Sequence, residues 1–172
     1  MHMKKIYLFG LILLITGVAC KKKEEECTST LTKNTAPATE EQMVTDYITA
    51  NAITGTTELE NSGMYYIITS PGSTERANQC SVLRVKYTGK FTDGRVFDQT
   101  VGDNVATFEL GGLIEGWRRA LPLIGEGGKI RLFIPPTLGY GSVDRVNPQT
   151  GVILIPKNSV LVFDVELLTI TN

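Results

Sequence analysis

The side chains able to form a site crowd into the second half of this 172-residue chain: Tyr87, Phe97, Asp98, Phe108, Leu113, Ile114, Trp117, Tyr140, Val162 and Phe163. They are mostly apolar or aromatic, with few charges among them. Such a set suits a pocket that grips an apolar peptide segment better than one that activates water or a metal. His2 is the only histidine and would leave with an export-type leader, so histidine acid-base chemistry and most zinc sites drop out. No serine or cysteine sits beside a base in the manner of an activated nucleophile. Gly125-Glu126-Gly127-Gly128-Lys129 lacks the spacing of a phosphate-binding loop and the Ser or Thr after its lysine, and reads as a turn. Taken singly, Tyr87, Phe108 or Phe163 is more often core than site, because large aromatics usually bury themselves. Asp98 alone would be a turn or salt-bridge residue.

The elements that must position these residues begin after a leader. Lys4-Lys5 precede an apolar run from Ile6 to Ile15, closed by Thr16-Gly17-Val18-Ala19-Cys20. The run is too short to span a bilayer as a helix and has the charged, apolar and small-residue order of an export signal, which assigns residues 1–19 to a signal peptide. A small-residue site ending at a cysteine resembles that of bacterial lipoprotein precursors, in which Cys20 would be lipidated and become the first residue of the mature chain. The competing reading is an ordinary secreted protein cut nearby. Of 17 Lys and Arg against 18 Asp and Glu, Lys4 and Lys5 would leave with the leader, so the mature chain is slightly acidic. Lys21-Lys22-Lys23 is offset at once by Glu24-Glu25-Glu26, and no concentrated basic surface points to nucleic acid. Cys27 and Cys80 are either oxidised after export or free thiols, one lying in the tail and the other just ahead of a strand, with no CxxC.

Residues 20–38 are rich in Thr, Ser, Asn and Pro beyond Cys27 and are expected to form a flexible tether. A helix region occupies 39–58. Thr39 and Gln42 have capping-box spacing, Met43, Tyr47 and Ala50 recur on one face, and the helix runs from Glu40 to about Ala52. It would pack on the domain, on another subunit, or stand alone. Residues 59–172 form the main domain. Strands are predicted at Met64 to Ile68, Val82 to Lys90, from Val96-Phe97, Val105 to Leu110, Lys129 to Ile134 and Val160 to Thr171, with Leu83, Val85 and Tyr87 on one face. Ile114, Trp117 and Leu121 define one short helix ending near Pro122. The fold class is therefore α+β, one short helix covering a face of an antiparallel sheet. Gly139 to Pro156 reads as a long irregular loop of the kind that frames a binding site.

Six segments together resemble the FK506-binding-protein family of peptidyl-prolyl isomerases in order and spacing: Val85 to Gly89, Asp93 to Asp98, Leu113 to Trp117, Ile134 to Pro136, Leu138 to Gly141 and Leu161 to Leu168. The resemblance covers about residues 64 to 170. It implies a bent antiparallel sheet wrapped over one short α-helix, with the active pocket between helix and concave face. Tyr87, Phe97, Phe108, Trp117, Tyr140 and Phe163 would be its walls, with Trp117 as the floor under a proline ring. Leu113 and Ile155 would add aliphatic contacts, the Ile114 N–H would hold a substrate carbonyl, and Asp98 and Tyr140 would supply polar contacts at the rim. Asp98 would either orient Tyr140 or face the amide dipole. Ala106 stands where the family archetype has another pocket aromatic, and the 141–156 loop has no histidine.

The resemblance implies a peptidyl-prolyl cis-trans isomerase for Xaa-Pro bonds of exported or envelope proteins, needing no cofactor or metal. Its partners would be proline-containing unfolded or partly folded polypeptides, FK506-like macrolides, and the lipid bilayer through acylated Cys20. It would be lipid-anchored in a bacterial cell envelope, at the outer membrane or facing the periplasm. The alternative is a non-catalytic peptide-binding chaperone or adaptor of the same fold.

Overall fold

The computed structural model describes Cys27 and residues 30–172. The predicted signal peptide and Cys20 lie outside the described residues. The elements in order are α1 (Ala38–Ala50), β1 (Thr57–Glu58), β2 (Tyr65–Ser70), β3 (Val82–Phe91), β4 (Val96–Gln99), β5 (Ala106–Glu109), α2 (Glu115–Ala120), β6 (Gly128–Ile134), β7 (Arg145–Val146), β8 (Ile153–Ile155) and β9 (Leu161–Thr171). Every strand pair is antiparallel, and the main sheet runs β1-β2-β6-β9-β3-β4, with β5 also pairing with β3. The fold is α+β, as the spacing of apolar residues predicts.

Alternation with period two divides the sheet into two buried faces. Ile130, Leu132 and Ile134 of β6, with Leu161, Phe163, Val165 and Leu167 of β9, point into the main core, where Leu83 and Val85 of β3 join them. Phe133 and Val162, one residue out of phase, point the other way and meet Val44 and Ile48 of α1. The one-residue offset sends α1 to the opposite face from α2.

The short helix α2 covers the main core with Trp117, Ala120 and the following Leu121. It comes in close because Gly116 has no side chain: a Cβ there would lie 2.7 Å from Cδ1 of Ile134. Glu115 begins α2 and Arg118 and Arg119 end it, the charge order that offsets the helix dipole.

Helix α1 differs from its expectation in two ways. It starts after Pro37, whose carbonyl accepts from the amides of Glu40 and Glu41, and no side-chain cap forms, so Thr39 is the second helical residue and caps nothing. The proline fixes a φ suited to the entry, and with the cap position at Pro37 the Thr39 hydroxyl lies inside the first turn, where it cannot act as the cap. The buried positions are Val44 and Ile48, while Met43 is 43% exposed. The face is turned because the outer face of the sheet offers Phe133, Val160 and Val162 as partners. The helix thus packs on its own domain. Two acids fix it there: Glu40 accepts from the Thr137 amide (2.7 Å) and hydroxyl (3.0 Å), and Glu41 accepts from the Tyr65 hydroxyl (3.0 Å). Burial first, then the Glu41 carboxylate, pushes the Tyr65 phenol up to about 12.

The flexible tether expected over 20–38 is corrected for Cys27 and residues 30–38, which lie against the domain. Cys27 is disulfide-bonded to Cys80. Glu115 accepts from the Asn34 backbone amide (2.6 Å) and side-chain amide (2.5 Å). The carbonyl of Asn34 accepts from Arg119 (2.8 Å), and that of Thr30 from Arg118 (2.6 Å). Ala36 is buried, and its amide donates to Ser62 O. Composition missed this because the segment is held by backbone groups, one buried arginine and a covalent bond, none of which needs large apolar residues. Arg119 also pairs with Glu60 and Glu115 at 3.2 and 3.4 Å.

The disulfide closes a separation of 53 residues. In the loop-entropy account a crosslink of that span is worth about 2–4 kcal/mol. Reduced protein, or a Cys80→Ser variant, is therefore expected to unfold at lower denaturant concentration than the oxidised protein. Coincident unfolding curves would show that the noncovalent contacts of residues 30–38 suffice without the crosslink.

Candidate functional site

Nine of the predicted site residues, Tyr87, Phe97, Asp98, Phe108, Leu113, Ile114, Trp117, Tyr140 and Phe163, converge on one cavity of about 180 Å³. The sheet and α2 bring them together from widely separated stretches of chain. Tyr87 comes from β3, Phe97 and Asp98 from β4, Phe108 from β5 and Phe163 from β9; Leu113 and Ile114 lead into α2, which carries Trp117. Tyr140 follows the tight turn at Pro136–Leu138.

The walls are a set of aromatic edges against aromatic faces. Trp117 meets Tyr87, Phe163 and Phe108 nearly at right angles, with centroids 5.4, 5.2 and 6.2 Å apart. Phe97 stands at 89° to Phe163, 5.5 Å away. Edge-to-face pairs of this kind are favourable beyond their area, so the rings hold one another in place with the cavity open. Trp117 is buried at the floor, and its indole Nε1 has no hydrogen-bond partner among the described residues. An unpaired buried donor costs about 1–3 kcal/mol, a cost that phenylalanine would avoid. Gly89 makes room for the wall: a Cβ there would lie 2.6 Å from Phe97 and 2.8 Å from Phe163.

The polar partner of Asp98 is Tyr87, whose hydroxyl donates to Oδ2 at 2.6 Å. Sequence reasoning offered Tyr140 or a substrate dipole for this carboxylate and missed the bond, which only the pairing of β3 with β4 creates: Gly89 stands opposite Asp98, two residues beyond Tyr87. Burial first, then Asp98, pushes the Tyr87 phenol well above its ordinary range. Burial and Asp98 also raise the Tyr140 phenol, against an opposing effect of Arg145. Ile114 lies just before α2 in an extended conformation (φ −58°, ψ 150°), and its carbonyl accepts from Trp117 and Arg118. Its amide finds no acceptor among the described residues.

Ile155 does not line the aromatic cavity. It lies in an adjoining groove of about 770 Å³ that shares Phe97, Asp98, Leu113, Ile114 and Tyr140 with the cavity and adds Arg145 and Leu154. Ala106 packs against the core from β5 and is not among the cavity's walls. The irregular loop expected from Gly139 to Pro156 contains a hairpin, β7 with β8, in which Arg145 is paired with Ile155. Its strands of two and three residues are too short to show a period. Arg145 and Leu154 were accordingly missed, and no spacing signal marks them.

Asp98→Asn removes the charge that opposes ionisation of Tyr87 but leaves its burial, so the Tyr87 titration should move down toward the ordinary range without reaching it. Phenolate absorbance, with a Tyr87→Phe variant to identify the signal, reads the shift. An unmoved titration would mean that the Asp98 carboxylate does not hold the phenol.

A family model described as FKBP-type peptidyl-prolyl cis-trans isomerase matches residues 73–168. The FkpA isomerase of Aeromonas hydrophila is 37% identical over 126 residues, covering 73% of this chain and 44% of the relative. FkpA of Escherichia coli K12 is 41% identical over 112 residues, 64% of this chain and 38% of the relative. The chain thus spans less than half the length of these curated relatives. The crystal structure of E. coli FkpA superposes with a TM-score of 0.64 at 36% identity, over 78% of this chain and 60% of that one. A peptidyl-prolyl isomerase structure from Pseudomonas syringae gives 0.64 at 27% identity, over 80% and 98%. With the match extending from ahead of β3 into β9, across every strand and helix that walls the cavity, the chain belongs to the family of FKBP-type peptidyl-prolyl cis-trans isomerases.

Proposed function

We propose that the protein catalyses cis-trans isomerisation of Xaa-Pro bonds in exported or envelope polypeptides, and that the aromatic cavity is where the bond twists. The carrying observation is the cavity itself, walled by the rings of Tyr87, Phe97, Phe108, Tyr140 and Phe163 and floored by the buried Trp117 indole. The uncatalysed barrier of about 18–20 kcal/mol is largely lost amide resonance. A planar amide separates more charge than a twisted one, so transfer from water into aromatic walls penalises the ground state more than the transition state. Only such a difference accelerates the reaction.

The unpartnered Ile114 amide would hold a substrate carbonyl while the rest of the peptide rotates. Asp98 accepts the Tyr87 hydroxyl and so fixes that ring against Trp117, which makes the pair a rigid edge of the cavity. Tyr140 would supply the remaining polar contact at the rim. No covalent bond breaks and no proton need move. A cavity of about 180 Å³ accommodates a prolyl ring and not a macrolide of FK506 size, whose larger part would lie in the adjoining groove. The same surface would serve a non-catalytic peptide-binding chaperone or adaptor, the second reading, if the twist were not accelerated.

The purified protein is expected to speed cis-to-trans conversion of a short Leu-Pro peptide. Trp117→Leu should lower kcat/KM at least about tenfold, as expected for loss of a transition-state contact. Because the Tyr87 and Tyr140 phenols are both pushed upward, neither ionises near neutrality, and the rate should vary little between about pH 6 and 9. Binding of the peptide without acceleration by folded protein would sink the isomerase reading and favour the chaperone.

Export and lipidation of Cys20 belong to the same proposal and place the domain at the envelope surface. Mass analysis of the membrane-associated protein should find an acylated N-terminal cysteine, and Cys20→Ser should release the protein into the soluble fraction. An unmodified N-terminus elsewhere would overturn the anchor.

A further inference from the structure

The groove beside the aromatic cavity contains a cation that the reaction does not use. Arg145 starts β7 and lines the groove with Tyr140, Leu154 and Ile155. Its guanidinium carbon lies over the Tyr140 ring, 5.2 Å from the centroid. Among the described residues Arg145 forms no ion pair, as is also true of Arg76, Arg84, Arg118 and Lys157, but it alone of these lines the groove that adjoins the cavity. Asp98, which lines the same groove, accepts from Tyr87, and Asp144, the preceding residue, accepts from the Lys157 amide at 2.6 Å. The guanidinium therefore stands at the mouth with its charge unclaimed by a carboxylate of its own chain.

Its position is built rather than incidental. Arg145 is paired with Ile155 across the hairpin, and the connection is closed by Asn147 N to Val152 O (2.8 Å) and Gly151 N to Asn147 O (2.8 Å). The Asn147 side chain further accepts from the amides of Gln149 and Thr150. A guanidinium held over a ring face leaves N–H donors on its other edges to meet a planar carboxylate. The apolar side chain of Leu154, 53% exposed, supplies the other wall.

We propose that Arg145 is a specificity-determining residue: it receives an acidic side chain of the substrate a short distance from the proline, on the stretch of peptide that leaves the cavity through this groove. The occupant follows from continuity. The groove shares five lining residues with the cavity, so a polypeptide seated in one extends into the other. The inference rests on the isomerase reading of the cavity and adds to it the charge of the flanking sequence.

The test compares Leu-Pro peptides carrying Glu, Gln or Lys at successive positions on either side of the dipeptide, with wild-type protein, Arg145→Gln and Arg145→Lys. Both kcat/KM and binding of fluorescently labelled peptides are measured, at low and high salt. At one position the Glu peptide should exceed its Gln counterpart about two- to fivefold, mostly through KM, as for an exposed charge contact. That ratio should fall to about one in Arg145→Gln, survive in part in Arg145→Lys, and shrink as salt rises. A ratio near one at every position, or one unchanged in Arg145→Gln, would overturn the proposal. Isomerisation of the Gln peptide without charge preference defeats the proposal alone. An Arg145-dependent preference in binding without any acceleration defeats the isomerase reading and leaves the acidic subsite standing.

Discussion

The architecture depends on one geometric demand: the inward row of β6 and β9 must be kept from water by a helix of six residues. Fewer than two turns of helix cover little area, and the shortfall is met by approach and by size. Gly116 lets the backbone of α2 settle on Ile134, and Trp117 spreads an indole over what remains. The same side chain consequently closes the core from above and floors the cavity from below. Burial of apolar surface at roughly 25 cal/mol per Å² makes a buried tryptophan a large contributor to folding, so floor and fold are held by one residue. The rings around it inherit this rigidity, because each stands edge-on to another whose position a strand has already fixed.

Much of this was legible in the sequence, for a physical reason. Long strands with one buried face announce themselves by period two, and β3, β6 and β9 appear within a residue or two of their predicted limits. The short helix was legible from Ile114, Trp117 and Leu121. The roles of the site residues came from resemblance rather than from pattern, since Tyr87 or Phe163 alone carries no mark that separates wall from core. What remained hidden depends on the third dimension. The Tyr87 to Asp98 bond exists because β3 and β4 pair in one register; the turned face of α1 follows from where the sheet leaves Phe133; the β7–β8 hairpin is too brief to have a period.

Electrostatics divides the surface of the molecule in a similar way. On the part of the outer sheet face that α1 leaves uncovered, Lys129 with Glu166 and Arg131 with Asp164 form cross-strand pairs that are well exposed, and such pairs add little to stability while keeping that surface polar. At the other extreme Arg119 is nearly fully buried and binds Glu60, Glu115 and the carbonyl of Asn34 together. Breaking one partner there would strand a buried charge, a far larger loss than any of the exposed pairs represents. Through Glu115 this network also reaches the first residue of α2, adjacent to Ile114.

The disulfide has a mechanical meaning. Tension arriving from upstream of Cys27 does not peel residues 30–38 and α1 away one hydrogen bond at a time, because the covalent bond diverts it to Cys80. From there it enters β3, an interior strand bonded to β9 on one side and to β4 and β5 on the other. Load shared along two ladders must break many hydrogen bonds together, so a pull on the N-terminal end of the chain is borne by the interior of the sheet, on the strand that also carries the cavity wall Tyr87.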